Sequence, residues 1–108
     1  MSEIQNLEAM LEKGQDNALM RFALGSAFLK YGKYPEAAVH LARAVEFDPA
    51  YSAAWKLYGK ALEQQDKGSE AIEVYRKGIK AAEKKGDIQA AKEMKVFLKR
   101  LQRSKDSI

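Results

Sequence analysis

The chain has 108 residues, of which 46% are hydrophobic, and a formal net charge of +4, so it has the length of one domain and enough apolar side chains for a core. It contains no cysteine, which excludes disulfide bonds and thiolate chemistry and is typical of a reducing compartment. It also lacks an apolar run near the about 20 residues that span a membrane, and its first residues do not resemble a secretory signal, so we expect a cytoplasmic protein.

Helix formers dominate the composition, because threonine is absent and alanine is abundant. The first predicted helix covers residues 2–13, since its apolar residues recur at helical spacing, and Gly14 ends it in a left-handed conformation. The second helix follows an Asp16 or Asn17 N-cap and continues to the residue before Gly32. Its apolar residues that are predicted to face inward include Leu19, Phe22, Leu24 and Phe28.

The third and fourth helices are bounded by proline and serine. Pro35 lies where the first turn of a helix tolerates it, and the third helix is predicted to end before Asp48 and Pro49. Ser52 caps or begins the fourth helix, which carries Trp55 on its apolar side. The two helices are therefore expected to be joined by a short turn.

The last two helices are separated by the clearest boundary in the chain. A break at Gly68 precedes the fifth helix, and Gly86 with Asp87 combines a helix stop with the N-cap of the sixth. The sixth helix is expected to fray near Arg103, and residues 104–108 are expected to be disordered. The apolar residues of the sixth helix recur at helical spacing and are Ile88, Ala91, Met94, Phe97, Leu98 and Leu101.

Two parts of the chain repeat one pattern at an offset of 34 residues. Gly25 corresponds to Gly59, and Leu41 corresponds to Tyr75. A fixed offset of this length, kept at small and large positions alike, is typical of stacked helix pairs. One pair cannot bury its apolar face alone, so stacking supplies the core and produces a curved surface suited to another protein. Further corresponding pairs are Glu36 and Glu70, Ala37 and Ala71, and Val45 and Ile79.

The residues that keep the offset resemble the tetratricopeptide repeat (TPR) family. The family pattern runs large-x-x-Leu-Gly-x-x-aromatic, Gly-x-aromatic-x-x-Ala, aromatic-x-x-Ala and Asp-Pro. The first unit departs from it only at Arg21 and Leu41, whereas the second has Asp66 for the mid-repeat glycine, Gly68 for the aromatic residue and no closing Asp-Pro. The matching residues are Leu24, Gly25, Phe28, Gly32, Tyr34, Ala37, Ala44, Asp48 and Pro49, then Trp55, Tyr58, Gly59, Leu62, Ala71, Tyr75 and Gly78.

The resemblance implies an all-α fold, a right-handed α-α superhelix of about six antiparallel helices. The terminal helices would cover stacking faces that are otherwise exposed. We expect one domain with an N-terminal capping helix at 1–16, a first repeat at 17–50, a second, degenerate repeat at 51–86, and a C-terminal capping helix with a short tail at 87–108. The aromatic residues expected to pack between helices are Phe28, Tyr34, Trp55, Tyr58 and Tyr75.

In this family the first helix of each repeat lines a concave groove that binds peptides. Lys56 and Lys60 are one turn apart and share a helical face, and as exposed charges they are expected to contribute little to folding. The last helix is placed by aligning Ala91, Met94 and Leu98 with the core. The groove residues that the resemblance implies are Leu19, Phe22, Ser26, Lys30, Lys56, Lys60, Glu63, Lys92 and Lys99.

Charge is distributed unevenly along the chain. Residues 76–108 hold eleven Lys/Arg and four Asp/Glu, a net charge of +7, whereas residues 1–75 hold eight and eleven, a net charge of −3. A groove that is apolar near Leu19 and Phe22 and basic near the last helix suits an acidic peptide with one or two apolar anchors. Family members that clamp a C-terminal carboxylate use Lys and Asn where this chain has Phe22 and Ser26, so that specificity is not expected.

Three kinds of interaction follow from these patterns. The first is a cytoplasmic adaptor or scaffold that binds a peptide or protein segment in its groove. The second is a homo-oligomerising module, a homodimer for example, that pairs through its terminal helices with Ile108 or the region of Phe97 as the contact. The third is nucleic-acid binding through the basic last helix, which lacks the interleaved aromatic residues that stack on bases. An ordinary solvated lysine face is the alternative to the peptide-binding groove, and a solubilising terminal face is the alternative interpretation of the basic C-terminal third.

Neither catalysis nor a cofactor is predicted. His40 is the only histidine, and we interpret it as a surface residue, since a metal site needs two to four ligands and only Glu36 lies one turn away. The sequence contains neither a phosphate-binding loop nor a nucleophile elbow. We therefore expect no metal, no cofactor, no small-molecule substrate and no enzymatic activity.

Overall fold

The computed structural model describes residues 2–106, and this part of the chain forms six α-helices and no strand. Each helix packs against the next, and α2 also contacts α4, as α4 contacts α6. The result is an elongated all-α stack, 46 × 30 × 18 Å, which confirms the predicted fold class. The helices are α1 (Ser2–Glu12), α2 (Ala18–Lys30), α3 (Tyr34–Phe47), α4 (Ser52–Glu63), α5 (Gly68–Lys85) and α6 (Ile88–Asp106).

Three helix ends are fixed by glycine, as the sequence predicts. Gly14, Gly32 and Gly86 follow α1, α2 and α5 with φ angles of 90°, 73° and 85°, a region that costs little without a Cβ atom. At the start of α2, the Asn17 side chain accepts a hydrogen bond of 2.8 Å from the Met20 backbone amide. Asn17 is therefore the N-cap residue, and Asp16 is free for another partner.

The turn between α4 and α5 differs from the prediction. Gly68 does not break the chain; it is the first residue of α5. The left-handed residue is Asp66, with φ 58°, which lies 34 positions after Gly32. Aspartate is among the few residues with a side chain that adopt this conformation at low cost. The substitution of the mid-repeat glycine therefore leaves the turn geometry intact.

The 34-residue offset corresponds to a repeated close approach of two helices. A Cβ atom at Gly25 would lie 2.5 Å from Leu41 Cγ, and one at Gly59 would overlap the Tyr75 ring. Leu41 and Tyr75 are fully buried, so each glycine lets the second helix of a pair bring a large side chain against the first. Of the aromatic residues expected between helices, Phe28 and Tyr75 are buried, and Tyr34, Trp55 and Tyr58 are half-buried.

The last helix packs on α5 and is longer than predicted. Met94 is fully buried, and Ala91 is 3% exposed, as expected for a helix that covers the end of the stack. Ile88, however, is 66% exposed, because it lies at the first position of α6, ahead of the packed turns. The predicted fraying near Arg103 is wrong, since α6 continues to Asp106 without a glycine or proline to stop it. Of the tail predicted to be disordered, Ser107 and Ile108 lie outside the described residues.

A buried hydroxyl connects the second repeat to the terminal helix. Ser52 is 2% exposed, and its Oγ donates a hydrogen bond of 2.5 Å to Asp87 Oδ2 in the turn between α5 and α6. The other oxygen of Asp87 accepts the Ala90 amide at 3.2 Å, as an N-cap residue should. These two hydrogen bonds, that from Ser52 first, lower the pKa of Asp87. Within residues 2–106 none of the helices is long and apolar enough to cross a membrane.

Candidate functional site

The nine predicted groove residues lie on three alternate helices, α2, α4 and α6. These helices are neighbours, because α4 contacts both α2 and α6. We call the side of α2, α4 and α6 that carries the nine residues the groove face. The side chains of the groove face differ in whether they already have hydrogen-bond or ion-pair partners within the protein.

The N-terminal end of the groove face is an open cleft between α1 and α2. The cleft has a volume of about 710 Å³ and brings together Phe22, Ser26 and Lys30 of α2 with residues of α1 that include Leu7 and Asn6. Phe22 is half-buried, and its ring stacks on that of Tyr51 with centroids 4.8 Å apart. This contact fixes the wall of the cleft to the start of α4.

Ser26 is one of the polar residues that line this cleft. Its Oγ is buried and has no hydrogen-bond partner within residues 2–106. A buried hydroxyl without a partner is costly. Lys30 is exposed at the rim and supplies a positive charge beside the apolar walls.

Leu19 does not belong to this cleft or to the core. Its side chain is 68% exposed, so the prediction that it faces inward is wrong. Helix α2 carries apolar residues all around its circumference, and periodicity therefore could not identify the side that packs. Leu19 is an exposed apolar residue one turn before Phe22.

The central lysines of the groove face have internal partners. Lys56 Nζ forms an ion pair of 3.0 Å with Glu93 Oε1 of α6. Lys60 Nζ lies 3.9 Å from the centroid of the Phe97 ring, also on α6, a geometry that favours a cation–π interaction. Both lysines are half-buried, so the expectation of two exposed charges is wrong. They hold the terminal helix against the second repeat.

Glu63 is likewise occupied. The hydroxyl of buried Tyr75 donates a hydrogen bond to the Glu63 carboxylate. Burial, and then this acceptor, raise the pKa of Tyr75. The carboxylate at this end of α4 therefore satisfies the polar tip of a core residue.

The basic end of the groove face is formed by α6. Lys92 and Lys99 are both exposed, and within the described residues neither has an ion-pair partner. Arg100 lies beside them with its guanidinium 5.3 Å from the Phe97 centroid. The lysines whose charge is available to a ligand therefore lie on α6, at the edge of the groove face, and not on α4.

His40 is part of a polar cluster that the sequence did not reveal. Its ring stacks on Phe28 at 5.4 Å and an angle of 3°, and its Nδ1 lies 3.1 Å from a terminal nitrogen of Arg21. Arg21 also binds Asp16, with a shortest distance of 2.7 Å. Burial, followed by the charge of Arg21, lowers the pKa of His40. His40 is half-buried, contrary to the surface position predicted for it.

The cluster also explains the first departure from the repeat pattern. Arg21 stands where the family has a large residue, and it fills that place with a side chain that joins α2 to α3 through His40.

Within residues 2–106 the His, Asp and Glu side chains do not form a group of three or more that could hold a metal ion.

Comparison with known proteins identifies the family. The family model for the tetratricopeptide repeat matches residues 28–94. A TPR repeat-containing protein of Pseudomonas aeruginosa is 49% identical over 102 residues, covering 94% of this chain and 97% of that protein. The chain belongs to the TPR family. Domains of this family are generally protein-interaction modules without enzymatic activity.

Solved structures agree with this assignment. The solution structure of a Bordetella parapertussis protein has a TM-score of 0.81 and 44% identity, covering 94% of this chain and 88% of that one. The TPR2B domain of yeast Sti1, in a complex with pHsp70, has a TM-score of 0.84, covering 94% and 81% of the two chains. Its identity is 17%, so this likeness shows the fold alone.

Proposed function

We propose that the protein binds an acidic segment of another protein along the groove face. An apolar side chain of the segment enters the cleft between α1 and α2, and the carboxylates of the segment lie toward Lys92 and Lys99 of α6. We also propose that it acts as a cytoplasmic adaptor, with the division into 1–16, 17–50, 51–86 and 87–108 described by the repeat pattern. The observation that carries the proposal is the open cleft of about 710 Å³ that Leu7, Phe22 and Ser26 line beside the exposed Lys30.

The cleft has the composition expected of an anchor pocket. Leu7 and Phe22 supply apolar walls, Asn6 supplies a hydrogen-bonding group, and Lys30 and Glu3 supply charges of opposite sign. A small number of fixed polar groups in an apolar recess gives orientation as well as affinity. The stacked contact of Phe22 with Tyr51 means that the wall does not have to be ordered on binding.

The proposal can be tested with a peptide library, which does not require that the partner be known. Peptides of random sequence are screened for binding, and the best are measured by calorimetry against the wild type and Ser26→Met. Methionine fills the cleft with a flexible apolar side chain, and we expect the affinity to fall by about tenfold or more, near 1.4 kcal/mol. Val39→Met is the matched control, because Val39 is exposed on α3. Selected peptides that are not acidic, or an affinity that Ser26→Met leaves unchanged, would contradict the proposal.

Self-association is the alternative that the structure favours less. Phe97, one predicted contact, is half-buried between the Tyr75 ring at 5.7 Å and Lys60, and Ile108, the other, lies outside the described residues. Sedimentation at several protein concentrations separates the two functions. A monomer over the range in which peptide binds supports the adaptor.

A further inference from the structure

A second cleft lies apart from the groove face, between the turn that joins α3 to α4 and the C-terminal half of α5. It has a volume of about 530 Å³. Its floor is apolar and is formed by Pro49, Trp55 and Ala81. Its rim is basic and is formed by lysines of α5. We call this recess the tryptophan cleft.

The lysines of the rim lie along one face of α5. Lys77, Lys80 and Lys84 follow the spacing i, i+3, i+7, which places them in a row beside Ala81. Lys85 adds a fourth charge at the end of the helix. All four are exposed, and a row of seven residues spans about 10 Å at the rise of an α-helix. The tryptophan cleft therefore carries a dense positive edge.

These charges are not neutralised within the described residues. The neighbouring cations do have partners, since Arg76 pairs with Glu73 at 3.7 Å and Lys95 pairs with Glu83 at 2.8 Å. None of the four rim lysines forms an ion pair in the part of the chain that the structure describes. Lys85 acts on Asp87 only at longer range, where it helps to lower the pKa of that carboxyl.

The electrostatics of the helix end explain the positions of only two of the four rim lysines. Cations in the last turn of a helix are stabilised by its dipole, which accounts for Lys84 and Lys85 in the last turn of α5. The effect falls off within one turn, and Lys77 and Lys80 lie earlier in the helix. Their placement beside an apolar recess has no such explanation.

The apolar floor is held rigid. Trp55 Nε1 donates a hydrogen bond of 2.8 Å to the Pro49 carbonyl oxygen, and the Trp55 ring stacks on Tyr58 with centroids 6.5 Å apart. The indole is half-buried, so one part is fixed in the core and another is open to the recess. A preformed aromatic floor reduces the entropic cost of binding.

We propose that the tryptophan cleft is a second docking site, which takes an acidic protein segment with one aromatic or large aliphatic side chain. The apolar side chain packs on Trp55 and Pro49, and carboxylates on either side of it bind the lysines of α5. Charge complementarity selects this occupant, since within the described residues four cations without an ion-pair partner line a recess that has one carboxylate, Asp48. That carboxylate already accepts the Ala50 amide at 3.0 Å.

A protein segment fits better than a nucleic acid. Single-stranded nucleic acids are bound by successive aromatic side chains that stack on successive bases, and the tryptophan cleft offers one indole whose ring edge is fixed by Pro49. The site is independent of the groove face, because its charges come from α5. With both surfaces occupied, the protein would bridge two segments.

Trp55 makes the proposal directly measurable, since it is the only tryptophan in the sequence. The probes are two synthetic nonapeptides, each with eight glutamates, one with a central Phe and one with a central Ala. Added to the full chain, the Phe peptide is expected to change the Trp55 emission in a saturable way and to bind more tightly than the Ala peptide. Its affinity should fall as salt is raised.

Charge reversal locates the site. Lys77→Glu/Lys80→Glu should weaken binding of the Phe peptide by about tenfold or more, near 1.4 kcal/mol. Both lysines are exposed, so folding should be unaffected. Lys92→Glu/Lys99→Glu is the matched control, with the same change in net charge on the groove face, and the affinity that the Trp55 emission reports should equal that of the wild type. Ser26→Met should also leave the affinity from Trp55 emission unchanged, because any peptide bound at the groove face lies away from Trp55.

Three outcomes would overturn the proposal. The first is an unchanged Trp55 emission with peptide in the millimolar range. The second is an equal loss of affinity in both charge-reversal variants, which would mean that net charge alone attracts the peptide. The third is a nine-nucleotide single strand that binds more tightly than the Phe peptide and loses its affinity with Lys77→Glu/Lys80→Glu, because the occupant would then be a nucleic acid.

Discussion

Reversing the charges of Lys56 and Lys60 tests whether these residues hold α6 in place. The Lys56–Glu93 ion pair has a distance of 3.0 Å, and 25% and 39% of the two side chains are exposed. A partly buried pair of this kind contributes about 1 kcal/mol, and replacing it by two carboxylates adds repulsion of similar size. Removing Lys60 from the face of Phe97 costs about 0.5–1 kcal/mol more.

The expected loss for Lys56→Glu/Lys60→Glu is therefore about 2–3 kcal/mol, a large part of the about 5–15 kcal/mol that stabilises a domain. The free energy of unfolding is measured by urea denaturation, followed by the fluorescence of Trp55 and by circular dichroism. The slope with urea should not change, because the same surface is exposed on unfolding.

Two further variants make this result specific. Lys92→Glu/Lys99→Glu has the same change in net charge at exposed positions and should stay within about 0.5 kcal/mol of the wild type. In Lys56→Glu/Glu93→Lys the ion pair is formed in the opposite direction, and stability should return to near that of the wild type. If Lys56→Glu/Lys60→Glu unfolds at the same urea concentration as the Lys92→Glu/Lys99→Glu control, the two contacts do not hold α6 and the reasoning fails.

Two more predictions concern the end of the stack and the polar cluster on α2 and α3. A fragment ending at Gly86 should aggregate or lose cooperative unfolding, because it exposes the α5 surface that buries Met94; a soluble, cooperatively unfolding fragment would contradict this. The lowered pKa of His40 means that, as the pH falls, the unfolded chain binds a proton at a higher pH than the folded chain does. The stability that neutral His40 contributes is therefore complete above about pH 6.5 and is lost as the pH falls through the folded pKa. Urea denaturation at pH 7.5 and 5 should therefore show a smaller loss on acidification for His40→Gln than for the wild type, and equal losses would count against the cluster.

The fold was predictable because single residues decide its boundaries. A glycine that follows a run of helix formers needs no partner to act as a stop, and Gly14, Gly32 and Gly86 all lie at helix ends. The offset between Gly25 and Gly59 was equally informative, since a missing side chain leaves room for one particular neighbour. Such signals are local and can be read from the sequence.

The candidate site was less predictable because its side chains are defined by distant partners. Spacing correctly placed Lys56 and Lys60 on one face, but Glu93 lies 37 residues after Lys56, and the sequence does not show that α6 brings it within 3.0 Å. The same holds for His40, whose partner Arg21 is 19 residues away on another helix. Asp66 shows a further limit, since its backbone adopts a conformation that the sequence pattern assigns to glycine.

The hydrogen bond from Ser52 to Asp87 has a consequence for how the molecule opens. Asp87 serves two helix starts at once, through Ser52 of α4 and the Ala90 amide of α6. The first turn of α6 therefore cannot separate from the stack without leaving the Ser52 hydroxyl unpaired in a buried position, which is costly. Local fluctuations at these two helix starts are thus coupled across 35 residues, and the second repeat and the terminal helix form one cooperative unit in native-state hydrogen exchange.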